Sequence, residues 1–262
     1  MTRFDSLVHV TRDGKWIGKS PCDASYQRLC VELDRAGVGR ACLVGLAGVV
    51  DDDYLLERAR ASGGRLVPVS GFDPSRDADQ ASVAAAIGAV AGRGFTAVKL
   101  HPRLHGYDPL DPRCLSAIGA AAAHGLVVFL DTLFRQCAHA TLHAADVVDR
   151  LSQSHPTARI VLLHGGGPAL LEVAEVVRVR PALVLDVSFT LLHYAETSLD
   201  RDIRWLFAHL DQRVIVGSDM PEYTPEMAFA KADALSSGLA EDKRANIMHA
   251  NLERLFPETL AR

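Results

Sequence analysis

The sequence predicts a single (β/α)8 barrel with one extra helix at its C-terminus, spanning residues 1–262 as one domain. Three observations carry this. Eight short apolar runs recur about every thirty residues. Segments with helical patterning lie between them, so strand and helix alternate as a parallel sheet requires. Most of the runs end on an ionisable residue, as a buried barrel strand does when its C-terminal tip lines a site. Eight such units favour closure over an open sheet, and 262 residues suit a barrel of roughly 250.

Taken in order, FDSLVH is the first strand, and alternation places Asp5, Leu7 and His9 on one face. Residues 22–37 put Tyr26, Leu29, Cys30 and Leu33 on one helical face and stop at Gly37. RACLVGL is followed by a helix over 51–63, whose DDD start suits the positive end of the helix dipole. RLVPVSG and a helix over 78–93 lead to TAVKLH, where Lys99 and His101 share a face. A helix over 112–125 precedes LVVFLD, with Phe129 and Asp131 on one side. A helix over 139–154 precedes RIVLLH, where alternation pairs Leu162 with His164. A helix over 168–180 leads to ALVLDVS, which closes on Asp186 and Ser188. A helix over 198–211 leads to RVIVGSD, with Gly217 and Asp219 aligned, and helices over 224–237 and 241–255 end the chain. If every terminal polar residue turns into the barrel mouth, His9, His101, Asp131, His164 and Asp219 meet in one pocket. Each alone reads equally well as a satisfied strand-end residue; five at the same end do not.

Composition narrows the partners. The net charge of −4, with no basic stripe, argues against nucleic acid. No apolar run approaches the roughly 20 residues of a membrane span. The five cysteines, Cys22, Cys30, Cys42, Cys114 and Cys137, are odd in number and scattered, which suits a reducing cytoplasm. MTRFDSLVHV enters a strand at once, so no leader is expected. The expected partner is a small-molecule substrate, with homo-oligomerisation left open.

Several strings then resemble one family. FDSLVHVTRDGKW looks like the opening D-x-H-x-H strand of the amidohydrolase-related TIM-barrel hydrolases and decarboxylases. GFTAVKLHPRLHGYDPLDP resembles their fourth strand with its K-x-H-P turn, and RIVLLHGGG the sixth strand with a catalytic His. RVIVGSDMPEYTP resembles the eighth, G-[ST]-D-x-P, and IMHANLERLF the closing helix. The likeness covers nearly the whole chain. It implies a divalent ion held by strand-end imidazoles and carboxylates, with an open position for a water whose pKa the ion lowers. It also implies proton transfer by the sixth-strand His and the eighth-strand Asp. Carried over, His164 and Asp219 are the catalytic pair, and His9, Asp131 and Asp219 are the metal ligands.

Two positions depart from the pattern. Leu7 stands where the first His of the opening motif belongs, and Asp131 where many members have a fifth-strand His. The remaining donors are harder and more anionic than usual, so zinc or manganese is expected to be held weakly, or no metal at all.

Other residues have two readings. Lys99 is a cation for a substrate carboxylate, a carbamylated metal bridge, or a salt-bridge partner of Asp131 or Asp219. His101 is a stand-in ligand, a substrate contact, or a turn cap beside Pro102. Arg103 is a carboxylate clamp or an exposed loop residue. Trp16 covers a ligand or simply packs, and His105, Glu222 and Tyr223 are weaker candidates. GKWIGKS lacks the Gly at Asp13 that a phosphate loop needs, and His139 and His143 lack the intervening Glu of H-E-x-x-H. The glycines after His164 read as a turn passing close to the site. The expected chemistry is hydrolysis of a small amide, ester or lactone. The alternatives are non-oxidative decarboxylation and a non-catalytic small-molecule binder.

Overall fold

A computed structural model describes residues 2–18, 20–134 and 142–257. Eight strands run parallel in the order of the chain. They are β1 (Phe4–Val8), β2 (Arg40–Val44), β3 (Leu66–Phe72), β4 (Ala97–Leu100), β5 (Val127–Asp131), β6 (Ile160–Leu163), β7 (Leu183–Asp186) and β8 (Val214–Ile215). Backbone bonds between β1 and the segment after β8 close the barrel: Ser6 N to Val216 O at 3.1 Å, Asp219 N to Leu7 O at 2.9 Å and His9 N to Met220 O at 2.8 Å. The predicted (β/α)8 barrel is the observed fold.

The intervening helices are α1 (Tyr26–Arg35), α2 (Asp52–Ala61), α3 (Gln80–Gly92), α4 (Pro102–His105), α5 (Pro112–Ala123), α6 (Ala144–Ser154), α7 (Leu170–Val179), α8 (Thr190–His193), α9 (Leu199–His209) and α10 (Pro225–Leu235). Their starts are written in the sequence. Ser25, Asp51, Asp79, Asp111 and Thr224 each accept a backbone N–H of the first turn, with Pro112 and Pro225 just behind two of them. Asp51 of the DDD run caps α2, while Asp52 and Asp53 occupy its first turn. The closing helix is interrupted: α11 (Glu241–Ala245) and α12 (Asn251–Leu255) flank a π turn at Asn246–Ala250. The helix expected from residue 22 begins only at Tyr26, because Ser25 caps it and Asp23 bridges Lys15. Of the helix expected from 139, α6 carries the part from Ala144; His139 and Cys137 lie outside the described residues.

Two apolar layers form. Leu7, Cys42, Val44, Val69, Phe129 and Leu163 belong to the layer that fills the barrel, and Leu252 and Phe256 join it. The larger layer lies between strands and helices and includes Val8, Leu43, Val98, Leu130 and Leu162. Two parity expectations fail here. Phe4 and Leu7, three apart, share the interior, because β1 shifts register between Asp5 and Val8. Leu162 faces the helices while Leu163 faces inward, so Leu162 and His164 do not share a face.

Candidate active site

His164 nevertheless reaches the barrel mouth. Its φ of 66° is left-handed, and the kink redirects a side chain that alternation would send outward. Gly165, Gly166 and Gly167 continue at positive φ, so the glycine run serves an unusual backbone path into α7. The side chain is then fixed from below. Its Nδ1 donates to Ser188 O at 3.1 Å, and its backbone N–H reaches Asp186 Oδ1 at 3.3 Å. Asp186, fully buried, also accepts Ser188 N at 2.9 Å and the hydroxyls of Ser188 and Ser6.

Asp131, at the end of β5, gathers the cationic side of the site. Arg103 grips it with both arms, Nη2 to Oδ2 at 3.0 Å and Nε to Oδ1 at 3.4 Å. His164 Nε2 lies 3.3 Å and His101 Nε2 3.5 Å from its Oδ2. Burial works against the carboxylate, but His101, the hydrogen bond from His164 and Arg103 outweigh it and hold its pKa well below the ordinary value. Burial likewise opposes a charged His164. The hydrogen bond to Asp131 and the fields of Asp219 and Asp131 prevail, and its pKa is raised. His164 is thus a proton holder. His101 is the reverse case. Its Nδ1 accepts Leu104 N at 3.3 Å as the cap of α4, and burial drops its pKa to about 3, so it is neutral with its proton on Nε2.

The opposite side is built by β1, β4 and the β8 end. His9 Nδ1 donates to Val44 O at 2.6 Å, which turns Nε2 toward the pocket. Burial, then Lys99, lowers the His9 pKa, while the hydrogen bond and field of Asp219 oppose them. Its Nε2 faces Asp219 Oδ1 at 3.6 Å and Lys99 Nζ at 3.5 Å. Asp219 also sits at positive φ, 59°. Burial would raise its pKa, yet His9, His164 and Lys99 bring it down to about 2, so it is a carboxylate throughout the neutral range. Trp16 stacks on His9 with centroids 5.1 Å apart and donates Nε1 to Glu222 at 2.7 Å.

A pocket of about 480 Å³ opens between these walls. His9, Trp16, Lys99, His101, Arg103, His164, Asp219 and Glu222 all line it, and Asp131 lies buried beneath. The residues assigned to the site, His9, Trp16, Lys99, His101, Arg103, Asp131, His164 and Asp219, are therefore brought together. The salt bridge weighed for Lys99 is not formed. Lys99 is 3% exposed, and among the described residues its Nζ reaches the His9 ring nitrogen but no carboxylate within ion-pair distance; burial lowers its pKa against the fields of Asp219 and Asp131. Tyr223 stands behind Phe189, 6.0 Å between ring centroids, and His105 turns away to Ala47 O at 3.0 Å. Sequence reasoning missed Phe189, which lines the pocket edge-on to His164 at 5.6 Å. An apolar residue in an apolar run carries no signal of that role.

The profile of the amidohydrolase family matches residues 17–257. The chain belongs to the amidohydrolase family. Solved structures agree on the fold. An uncharacterised TIM-barrel protein from Bordetella bronchiseptica superposes with a TM-score of 0.80 at 19% identity, covering 100% of both chains. A probable 2-pyrone-4,6-dicarboxylic acid hydrolase from Acinetobacter baumannii, with citric acid bound, gives 0.70 at 15% identity over 98% of this chain and 100% of that one. A 5-carboxyvanillate decarboxylase from Novosphingobium aromaticivorans, complexed with manganese and a nitrobenzoic acid, gives 0.70 at 12% identity over 98% and 96%. Among curated proteins nothing matches by sequence.

The donors present do not fit the divalent ion that this family suggests. Leu7 is fully buried inside the barrel. An ion at His9 Nε2 would meet the Lys99 side-chain nitrogen, 3.5 Å from that atom. Asp131 is committed to Arg103, His101 and His164. Among the described residues no three His, Cys, Asp or Glu side chains are grouped to hold a metal. The arrangement has instead an acid whose pKa is lowered to about 2, an imidazole whose pKa is raised and a buried lysine whose pKa burial lowers, around one cavity. No helix of the described residues is long and apolar enough to cross a membrane.

Proposed function

We propose that this amidohydrolase-family protein hydrolyses a small ester, lactone or amide in the pocket at the C-terminal ends of the strands. The observation that carries the reading is that Asp219, its pKa lowered to about 2, and His164, its pKa raised by Asp131 and Asp219, line one cavity. Two groups whose surroundings push their proton affinities apart form the usual acid and base pair. Asp219 takes a proton from the attacking water, and His164 Nε2 returns one to the leaving oxygen or nitrogen. His9, fixed by Val44 O, orients the water against Asp219. Lys99, with His101 beside it, holds the substrate by its negative charge, and Trp16 covers it. Arg103 acts indirectly, by keeping Asp131 ionised and so His164 protonated.

The test is a screen of lactones, esters, amides and aromatic acids, with and without added zinc or manganese, reading acid release and carbon dioxide separately. Acid release that collapses in Asp219→Asn and His164→Ala supports the reading. Carbon dioxide release from an aromatic acid replaces hydrolysis with decarboxylation. Full activity in either variant removes the assigned roles.

A further inference from the structure

One short stretch of chain grips His164 on three sides. Asp186 at the end of β7, then Ser188 and Thr190, alternate along the chain; all three are buried, and each takes a different group of His164. Asp186 Oδ1 accepts the backbone N–H at 3.3 Å. Thr190 Oγ1 donates to the backbone carbonyl at 2.7 Å. Ser188 turns two oxygens to the ring, its carbonyl 3.1 Å and its hydroxyl 3.2 Å from Nδ1. Phe189, at φ 59° and ψ −61°, closes a γ-turn in which Thr190 N donates to Ser188 O at 2.6 Å, and both residues that flank it reach His164.

The left-handed backbone of His164 is strained, and such strain persists only where the surroundings impose it. Here Asp186 holds the N–H and Thr190 the carbonyl of that residue. The ring is fixed by the same stretch. A carbonyl only accepts, and the Ser188 hydroxyl gives its proton to Asp186 Oδ1, so it too offers Nδ1 a lone pair. Nδ1 therefore keeps its proton, and Nε2, on the side of Asp131, is the nitrogen that can exchange one.

We propose that Asp186, Ser188 and Thr190 are a positioning unit for His164, setting both the backbone turn that brings its ring to the barrel mouth and the ring nitrogen that trades protons. Asp186 serves in this unit as an acceptor of hydrogen bonds. The proposal deepens the functional reading above and rests on its assignment of His164.

Two measurements test it, one without a substrate and one with. In protein labelled with ¹⁵N-histidine, the Nδ1 proton of His164, assigned by its loss in His164→Gln, should exchange slowly with water at neutral pH. Exchange should be at least tenfold faster in Asp186→Ala, and close to wild type in Asp186→Asn, whose side-chain oxygen still accepts. With dihydrocoumarin as the lactone, Asp186→Ala should lose at least tenfold in kcat with KM within about twofold, and Asp186→Asn should recover to within about threefold of wild type. Ser188→Ala and Thr190→Val, which keep the shape of the stretch if Asp186→Ala does not fold, should each lose about threefold or more in kcat. All these losses should vanish in a His164→Ala background, because residues that act through one side chain are not additive with its removal. Equal losses in both backgrounds mean a merely structural role and overturn the proposal. Slow Nδ1 exchange that survives Asp186→Ala and Ser188→Ala alike overturns it as well, and Asp186→Asn as impaired as Asp186→Ala overturns the acceptor role. Exchange as expected without turnover of any ester, lactone or amide defeats the hydrolytic reading alone.

Discussion

Replacing Asp131 by Asn separates the two roles that its position allows. As a metal ligand it would matter to the protein only when the metal is bound. As the hub described here it neutralises Arg103 and His164 and accepts from His101, all at 3.0–3.5 Å from Oδ2. Asn keeps the shape but places an amide where donors converge. Removing one partner of a buried ionic group costs about 3–5 kcal/mol. Arg103 retains 25% exposure of its side chain and His164 can release its proton, so the lower end, about 3 kcal/mol, is expected. For a chain of this size that is a fall of roughly 6–12 °C in melting temperature. The folded pKa of Asp131 lies well below 3.8, so its contribution is fully present above that value and is lost as pH falls beneath it. Urea unfolding of wild type and Asp131→Asn, followed from pH 7 downward, should show a gap at neutral pH that closes in acid. Chelator should leave the wild-type curve in place. A gap below about 1 kcal/mol at pH 7 would refute the ion-pair account, since a buried hub cannot be removed so cheaply. Chelator that lowers wild type to the level of the variant would restore the metal reading.

Further outcomes follow from the same geometry. Asp219→Asn and His164→Ala should each lower turnover about a hundredfold or more, with circular dichroism unchanged. Because the His164 pKa is raised and that of Asp219 is about 2, the rate should hold through weakly acidic and neutral pH and fall only on the alkaline side, as His164 loses its proton; a rate that rises through that range would contradict the assignment. Asp5, fully buried with Oδ2 unpartnered, has its pKa raised from 3.8 to about 7 by burial. The unfolded chain therefore ionises first, stability drops between about pH 4 and 7, and the loss is of order 4 kcal/mol; Asp5→Asn should flatten that slope in paired denaturation curves, the histidines cancelling in the difference. Leu7→His alone should gain little zinc by elemental analysis, because Lys99 stays beside His9, whereas Leu7→His with Lys99→Ala should gain it; an equivalent of zinc in the single variant would show that Lys99 is no obstacle.

The barrel was legible because burial on both faces forces apolar runs, and the loops that follow must carry the polar residues. Lys99, His101 and Asp131 were legible for a further reason: β4 and β5 alternate regularly, so counting by twos gives the face. His164 was found by the right list and the wrong rule. Alternation points it outward, and only a left-handed backbone turns it in. The three glycines behind it were the trace of that backbone, read as a close turn but not as a reversal of direction. Asp131 shows a different limit. A carboxylate at a strand tip suits a metal or a guanidinium equally, and what decides is Arg103, whose distance in space no spacing in the chain encodes.

The chemistry of the site follows from one pattern that spans these cases. The positive charges are not spread evenly over the two acids. Arg103 and His164 contact Asp131, while Asp219 has His9 beside it at 3.6 Å and meets His164 and Lys99 through their fields. Asp131 is therefore engaged by Arg103, His101 and His164, and Asp219, lining the pocket, is the carboxylate to which we assign the proposed base role. Lys99 completes the asymmetry from the other side, as a buried lysine, its pKa lowered by burial, with no carboxylate within ion-pair distance among the described residues. A divalent ion added to this set would have to displace that lysine or break the Asp131 hub. The proposed anionic substrate needs to do neither: beside Lys99 it adds to the fields of Asp219 and Asp131 that favour the charged lysine against burial.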